Sequence, residues 1–266
     1  MAPLSGNSST VWLQRIGAIG AALALAILGA SMLLRLATEF TLDGHTQSLL
    51  PPAVEHATRL LHRLSASGVA LLALGAVLLY WAQRKSAAGV AAPTAWIVTA
   101  TVVLAVIGPL TPGYRVAAIT VLNVSVGQLL LMAFWWLREN AAGGDRQRAP
   151  VDGLARWALV AFIAHIATGA GASAYQMLGL RWPAWVHLGS AVVCVALMTT
   201  LLIEKRRSSA PPRSGKALEY LMFTQLLLGA VLIWLDHRPL WLSFMHAMLS
   251  PLLAMALVSL IQRHQK

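Results

Sequence analysis

Four polar residues interrupt otherwise apolar stretches at a repeating interval: His62, Asn123, His187 and His246. His62 and His187 are 125 residues apart and Asn123 and His246 are 123 apart, while the spacings inside each half are 61 and 59. A neutral imidazole offers a nitrogen lone pair to a metal. His187 and His246 each fall four to six residues past the expected start of a helix, about 6–9 Å below its outer end at about 1.5 Å per residue. Two helices entering from one side thus present two imidazoles at one depth, the geometry of bis-histidine heme ligation within a bundle. Gly189, Ser190, Ala191 and Ala247 leave room for a flat ring. Arg181 and Arg238, on the outer side of each histidine, are placed to pair with heme propionates, and Arg63 and Arg115 extend that cationic rim. The competing explanation is that these histidines only hydrogen-bond between helices. That explanation suits His165 better, because it has no histidine at its own depth. His45, His56, His237 and His264 fall in loops, helix edges or the tail and read as solvated. A zinc site would want three or four ligands, and no acid accompanies His187 or His246. Two imidazoles could hold copper, but copper leaves their matched depth unexplained.

The elements that position these residues follow from composition. Of 266 residues, 58% are hydrophobic and 11% charged, against about 25% charged in soluble domains. The apolar residues fall in runs of about 20, enough to cross the hydrocarbon core as helices; the alternation of a membrane β-barrel is missing. Eight segments emerge, roughly 11–36, 59–83, 91–111, 115–137, 154–177, 183–204, 217–235 and 241–262. Pro51-Pro52, Pro112-Gly113, Trp182-Pro183 and Pro211-Pro212 punctuate them, and Trp81, Trp135, Trp136, Trp182 and Trp241 lie near their ends as an interfacial belt. The first run is too long for a signal-peptide core and reads as a retained helix.

With both termini inside, 14 of the 20 Lys and Arg residues face the cytoplasm. The +11 formal charge therefore sets topology and gives no basis for nucleic-acid binding. Cys194 is the single cysteine, which excludes an internal disulfide. Asn7-Ser8-Ser9 matches a glycosylation acceptor by chance, in a cytoplasmic tail. A polar stretch from Glu139 to Asp152 divides the chain into halves at 1–140 and 154–266, joined by a linker at 141–153. His165 precedes Gly169 by four residues, as Gln225 precedes Gly229. The expectation is an all-α integral protein of the inner (plasma) membrane, with eight transmembrane helices arranged as two pseudo-symmetric four-helix bundles in contact with lipid.

The chain also resembles the heme A synthase family. Leu61-His62-Arg63-Leu64-Ser65-Ala66 is similar to the family's His-Arg-Leu-x-Ala in the second helix. Val186-His187-Leu188-Gly189-Ser190-Ala191 follows in the sixth, Gln225-Leu226-Leu227-Leu228-Gly229 resembles its Gln-x-x-Leu-Gly, and Phe244-Met245-His246-Ala247 its last histidine motif. The stretch from Gly29 to Arg35-Leu36 resembles the end of its first helix. The resemblance covers nearly the whole chain through short motifs in a shared order. It implies heme b held by His187 and His246 in the C-terminal half. It also implies an N-terminal half that oxidises a methyl group of heme o to the formyl group of heme A, with His62, Glu55 and Asn123 as the catalytic positions. Heme o synthase or a terminal oxidase would be the partner. Three departures stand out: Asn123 replaces the second histidine of the substrate half, Arg59 takes the place of a glutamate one turn before the first histidine, and an outer cysteine pair is absent. The nearest acid is Glu55, seven residues before His62.

Two functions remain open at this level. One is heme o oxidation for terminal oxidase assembly. The other is a non-catalytic b-type cytochrome, acting as electron carrier, subunit or assembly factor of a membrane oxidase complex. A secondary transporter would place repeated polar residues at the bilayer midplane, and these lie nearer the outer surface.

Overall fold

The computed structural model describes residues 7–40, 46–83, 88–110, 116–142, 153–176, 182–208, 213–235 and 239–263. Among them are eight long helices: α1 (Asn7–Leu36), α2 (Pro52–Gln83), α3 (Ala91–Ile107), α4 (Ala117–Ala142), α5 (Gly153–Gln176), α6 (Trp182–Ser208), α7 (Arg213–Trp234) and α8 (Leu240–Arg263). All eight are long and apolar enough to cross a membrane, α3 with the 3-10 turn Gly108–Leu110 that continues it. Threonine hydroxyls within them turn back on the carbonyl four residues earlier, as Thr58 does on Val54 and Thr94 on Val90, so they expose no unmet donor to an apolar surrounding.

Two details differ from the sequence expectation. A small antiparallel hairpin, β1 (Thr38–Phe40) with β2 (Thr46–Ser48), joins α1 to α2, so the chain is not purely helical. In addition, α2 starts at Pro52 and not near residue 59. Proline is well suited to the first helical position, where its missing N–H costs nothing, and Glu55 in the first turn suits the positive end of the helix dipole. Hydropathy misses this polar beginning. His62 is consequently the eleventh residue of its helix, whereas His187 is the sixth of α6 and His246 the seventh of α8.

The first four helices close on one another. α1 packs most extensively on α4 and then on α2, and α3 packs on α4. The approach of α1 to α4 needs glycine: a Cβ on Gly20 would come within 2.3 Å of the Phe134 ring, and one on Gly17 within 2.6 Å of the Arg138 backbone nitrogen. The buried cluster Leu13, Leu28, Val69, Ile97, Leu130 and Phe134 fills this half. Burial reaches its far end too, where Ala30, Met32, Arg35, Ala117 and Thr120 are enclosed.

The last four helices are arranged as two pairs. α5 packs along α6 and α7 along α8, but α5 meets α8 only locally and α6 scarcely touches α7. Their core lies at one end: Ala158 and Phe162 early in α5, Met198 and Leu201 late in α6, Leu218 early in α7, and Leu257 and Leu260 late in α8. Toward the opposite end α6 and α7 are largely exposed. α4 bridges the halves by packing on α5 and α8. The Trp135 indole N–H donates to Ser259 Oγ at 2.7 Å, and Ser259 donates to the buried Glu139 carboxylate at 3.3 Å. Glu139 also pairs with Arg138 at 2.7 Å. Trp135 is thus spent between helices and does not join the exposed Trp81, Trp182 and Trp241.

Candidate functional site

The more exposed end of the last four helices carries His187, Gln225 and His246, with His165 at the middle of α5. His187 on α6 is half-buried and faces α5. Its ring stacks on that of His165, centroids 4.4 Å apart and planes 10° from parallel. The expectation that His165 has no histidine beside it is therefore overturned. The other half of that expectation, an interhelical hydrogen bond, is met: His165 Nδ1 lies 3.0 Å from Ser190 Oγ. Ser190 Oγ is 2.7 Å from Thr168 Oγ1, which is 3.4 Å from His187 Nδ1. Four groups thus form a chain from one imidazole to the other.

α7 and α8 repeat this design with different chemistry. His246 Nε2 is 3.5 Å from the Gln225 amide nitrogen, and that nitrogen donates to Ser250 Oγ at 3.4 Å. Gln225 Oε1 is buried without a hydrogen-bond partner. Each imidazole is seated against a glycine of the preceding helix. A Cβ at Gly169 would come within 2.8 Å of His187 Cε1, and one at Gly229 within 3.2 Å of His246 Cε1. The small residues that matter are these two. Gly189, expected to admit a flat ring, has nothing within 4 Å of where its Cβ would be, and Ser190 is engaged with His165. Pro251, five residues beyond His246, leaves the Ala247 carbonyl without its helical N–H and loosens α8 just below the histidine.

The first four helices offer a sparser set. Thr58, His62, Ser65 and Val69 fall on one face of α2; three are buried and His62 is half-buried. Glu55 is two turns outward on that face, and its carboxylate is held by Arg59 at 2.7 Å and by Ser48 of the hairpin. Asn123 is half-buried on α4, and Arg63 is exposed. α2 and α4, which carry His62 and Asn123, do not pack extensively on one another. An apolar groove of about 390 Å³ runs between α1, α2 and α8, lined by Leu25, Gly29, Leu61, Phe244 and Met248 among others. Arg115, Arg181 and Arg238, and with them most of the expected cationic rim, lie outside the described residues, as do His45, His237 and His264.

The residues that the sequence reading passed over are Thr168 and Ser250, and Ser190, read there only as a small residue, is a hydrogen-bonding one. Their signal was the polar residue four before a glycine on α5 and α7, which marks the turn that receives each imidazole.

Among the described residues, no three His, Cys, Asp or Glu side chains converge as ligands for a bare metal ion. A heme asks less of the protein, because the porphyrin supplies four nitrogens and the chain only the axial pair. The C-terminal half suits that demand. Its two helix pairs make few contacts with one another, and glycines seat the rings of both His187 and His246. No known protein-family profile matches the chain, and no curated protein matches it.

Proposed function

We propose that this chain is a multi-pass membrane heme protein that holds one heme b between His187 and His246, in the manner of the heme A synthase family it resembles. The observation that carries this is a pair of imidazoles, one on α6 and one on α8, each seated against a glycine of the preceding helix, in two helix pairs that make few contacts with one another. Bound there, heme b supplies one-electron transfer. The chain supplies the axial nitrogens, an apolar wall and, by the sequence pattern, Arg181 and Arg238 for the propionates. The two halves derive from one repeated four-helix unit, which the polar intervals and the shared pairing of first with second and third with fourth helix support. Both termini face the cytoplasm, and the end that carries His187 and His246 faces outward.

For the N-terminal half the close packing of α1 on α4 favours a closed scaffold, and with it a one-heme cytochrome serving an oxidase complex as electron carrier, subunit or assembly factor. The second reading, oxidation of heme o to heme A, keeps one observation in its favour: His62 lies on the inward face of α2 next to the apolar groove lined by Leu61, which suits an isoprenoid tail.

The test is a pyridine hemochrome assay with heme extraction on the purified full chain. One low-spin heme b per chain is expected, lost in His187→Ala and in His246→Ala. A heme-free protein, or an unchanged low-spin spectrum in both variants, ends the proposal. A formylated heme recovered on expression beside a heme o source selects the oxidase reading.

A further inference from the structure

The proposed ligands leave His165 without a task, yet it is the most elaborately held imidazole among the described residues. It comes from the middle of α5, and its ring covers the face of His187 at 4.4 Å, 10° from parallel. Its Nδ1 meets Ser190 Oγ, and Ser190 sits on α6 one turn beyond His187, hydrogen-bonded to the His187 carbonyl at 2.7 Å. Thr168, one turn beyond His165, bonds the His165 carbonyl at 2.9 Å and reaches both Ser190 Oγ and His187 Nδ1. Each of the two helices therefore contributes one imidazole and one hydroxyl, and every member of the set touches the opposite helix.

Proton positions follow from this arrangement. When Ser190 donates its one hydroxyl proton to the His187 carbonyl and Thr168 donates its own to Ser190 Oγ, both hydroxyl oxygens remain acceptors facing the two Nδ1 atoms. Each imidazole then carries its proton on Nδ1 and keeps its lone pair on Nε2. Ligating histidines are commonly fixed in just this way by an acceptor at the second nitrogen, which sets both tautomer and ring orientation. Free rotation of the His187 ring is blocked on one side by His165 and on another by Gly169, whose missing Cβ is replaced by His187 Cε1 itself.

We infer that His165 is a positioning residue: with Ser190 and Thr168 it fixes the plane and tautomer of His187, so that Nε2 is presented for axial ligation. The inference rests on the heme assignment above. On α7 the corresponding place is taken by Gln225, whose Nε2 lies 3.5 Å from His246 Nε2.

The experiment uses the full-length protein purified with its heme. Transfer of heme to apomyoglobin gives the rate of heme loss, and low-spin EPR of the ferric state reports axial-ring orientation. His165→Phe keeps an aromatic ring over His187 but loses the bond to Ser190, and Ser190→Ala loses that bond with His165 intact. Both are expected to speed heme loss about tenfold and to shift the largest EPR g value, with heme still bound. His165→Asn, which keeps a donor near the Nδ1 position, restores slow loss. Wild-type heme loss and an unmoved EPR signal in both His165→Phe and Ser190→Ala overturn the inference while the heme site stands. A heme-free wild-type protein overturns both.

Discussion

Between α1 and α4 there is no room for a methyl group: Gly20 lies flat against the Phe134 ring. Between α5 and α8, the first and fourth helices of the second half, there is hardly a contact to fill. The helix pairs that build each half are otherwise alike, α1 with α2 as α5 with α6, and α3 with α4 as α7 with α8. One position on the odd helices follows the difference. Four before Gly169 stands His165 and four before Gly229 stands Gln225, but four before Gly29 stands Leu25 and four before Gly108 stands Leu104. Other polar residues do not: Thr94, Thr120 and Gln128 are buried in the first half. The contrast teaches that the same helix pairs pack differently according to whether the first and fourth helices meet, and under the proposed function only the half in which they hardly meet holds a cofactor.

The largest test of this contrast removes the ligands. His246→Ala is expected to leave less than about a tenth of the heme, by pyridine hemochrome, because loss of a ligand costs more than the 10–100-fold typical of its supporting partners. Next comes an attempt to open the closed half. Asn123→His restores a second histidine to the N-terminal helices, yet the stoichiometry is expected to stay at one heme per chain; a second heme would show that α1 and α4 part readily. Third, one methyl group can be placed in each half. Gly20→Ala drives a Cβ into Phe134 and is expected to destabilise by about 1–3 kcal/mol, seen as a lower melting temperature by tryptophan fluorescence in detergent. Gly169→Ala displaces His187 and is expected to lower heme content with a smaller change in melting. The reverse pattern would break the comparison. The smallest effect belongs to the strap between the halves. Ser259→Ala removes the Trp135 bond and is expected to cost about 1 kcal/mol, with heme content unchanged.

The eight helices were legible because apolar runs of this length have few other fates. The start of α2 was not, since Pro52, Glu55 and His56 belong to a helix by capping and dipole logic while hydropathy places them outside it. The hairpin escaped because three-residue strands carry too little alternation to register. The intervals singled out His187 and His246, and each is seated against a glycine of the preceding helix. The partner of His165 was missed for a geometric reason. Counted from the facing ends of α5 and α6, the two rings belong about 9 Å apart in depth, yet they stack at 4.4 Å. The ends of neighbouring helices are not level, and a linear pattern has no common origin from which to measure them. The closure of α1 on α4 was likewise invisible, because Gly17 and Gly20 read as ordinary small residues until their neighbours are known.

The core of the second half acts as an insulator. Phe162, Met198, Leu201, Leu257 and Leu260 plug the end away from the histidines with side chains that conduct neither protons nor water. Under the proposed heme assignment a redox partner is expected to dock at the end of these helices that carries His187 and His246, since contact at the other end would leave several helical turns of hydrocarbon in the path of the electron.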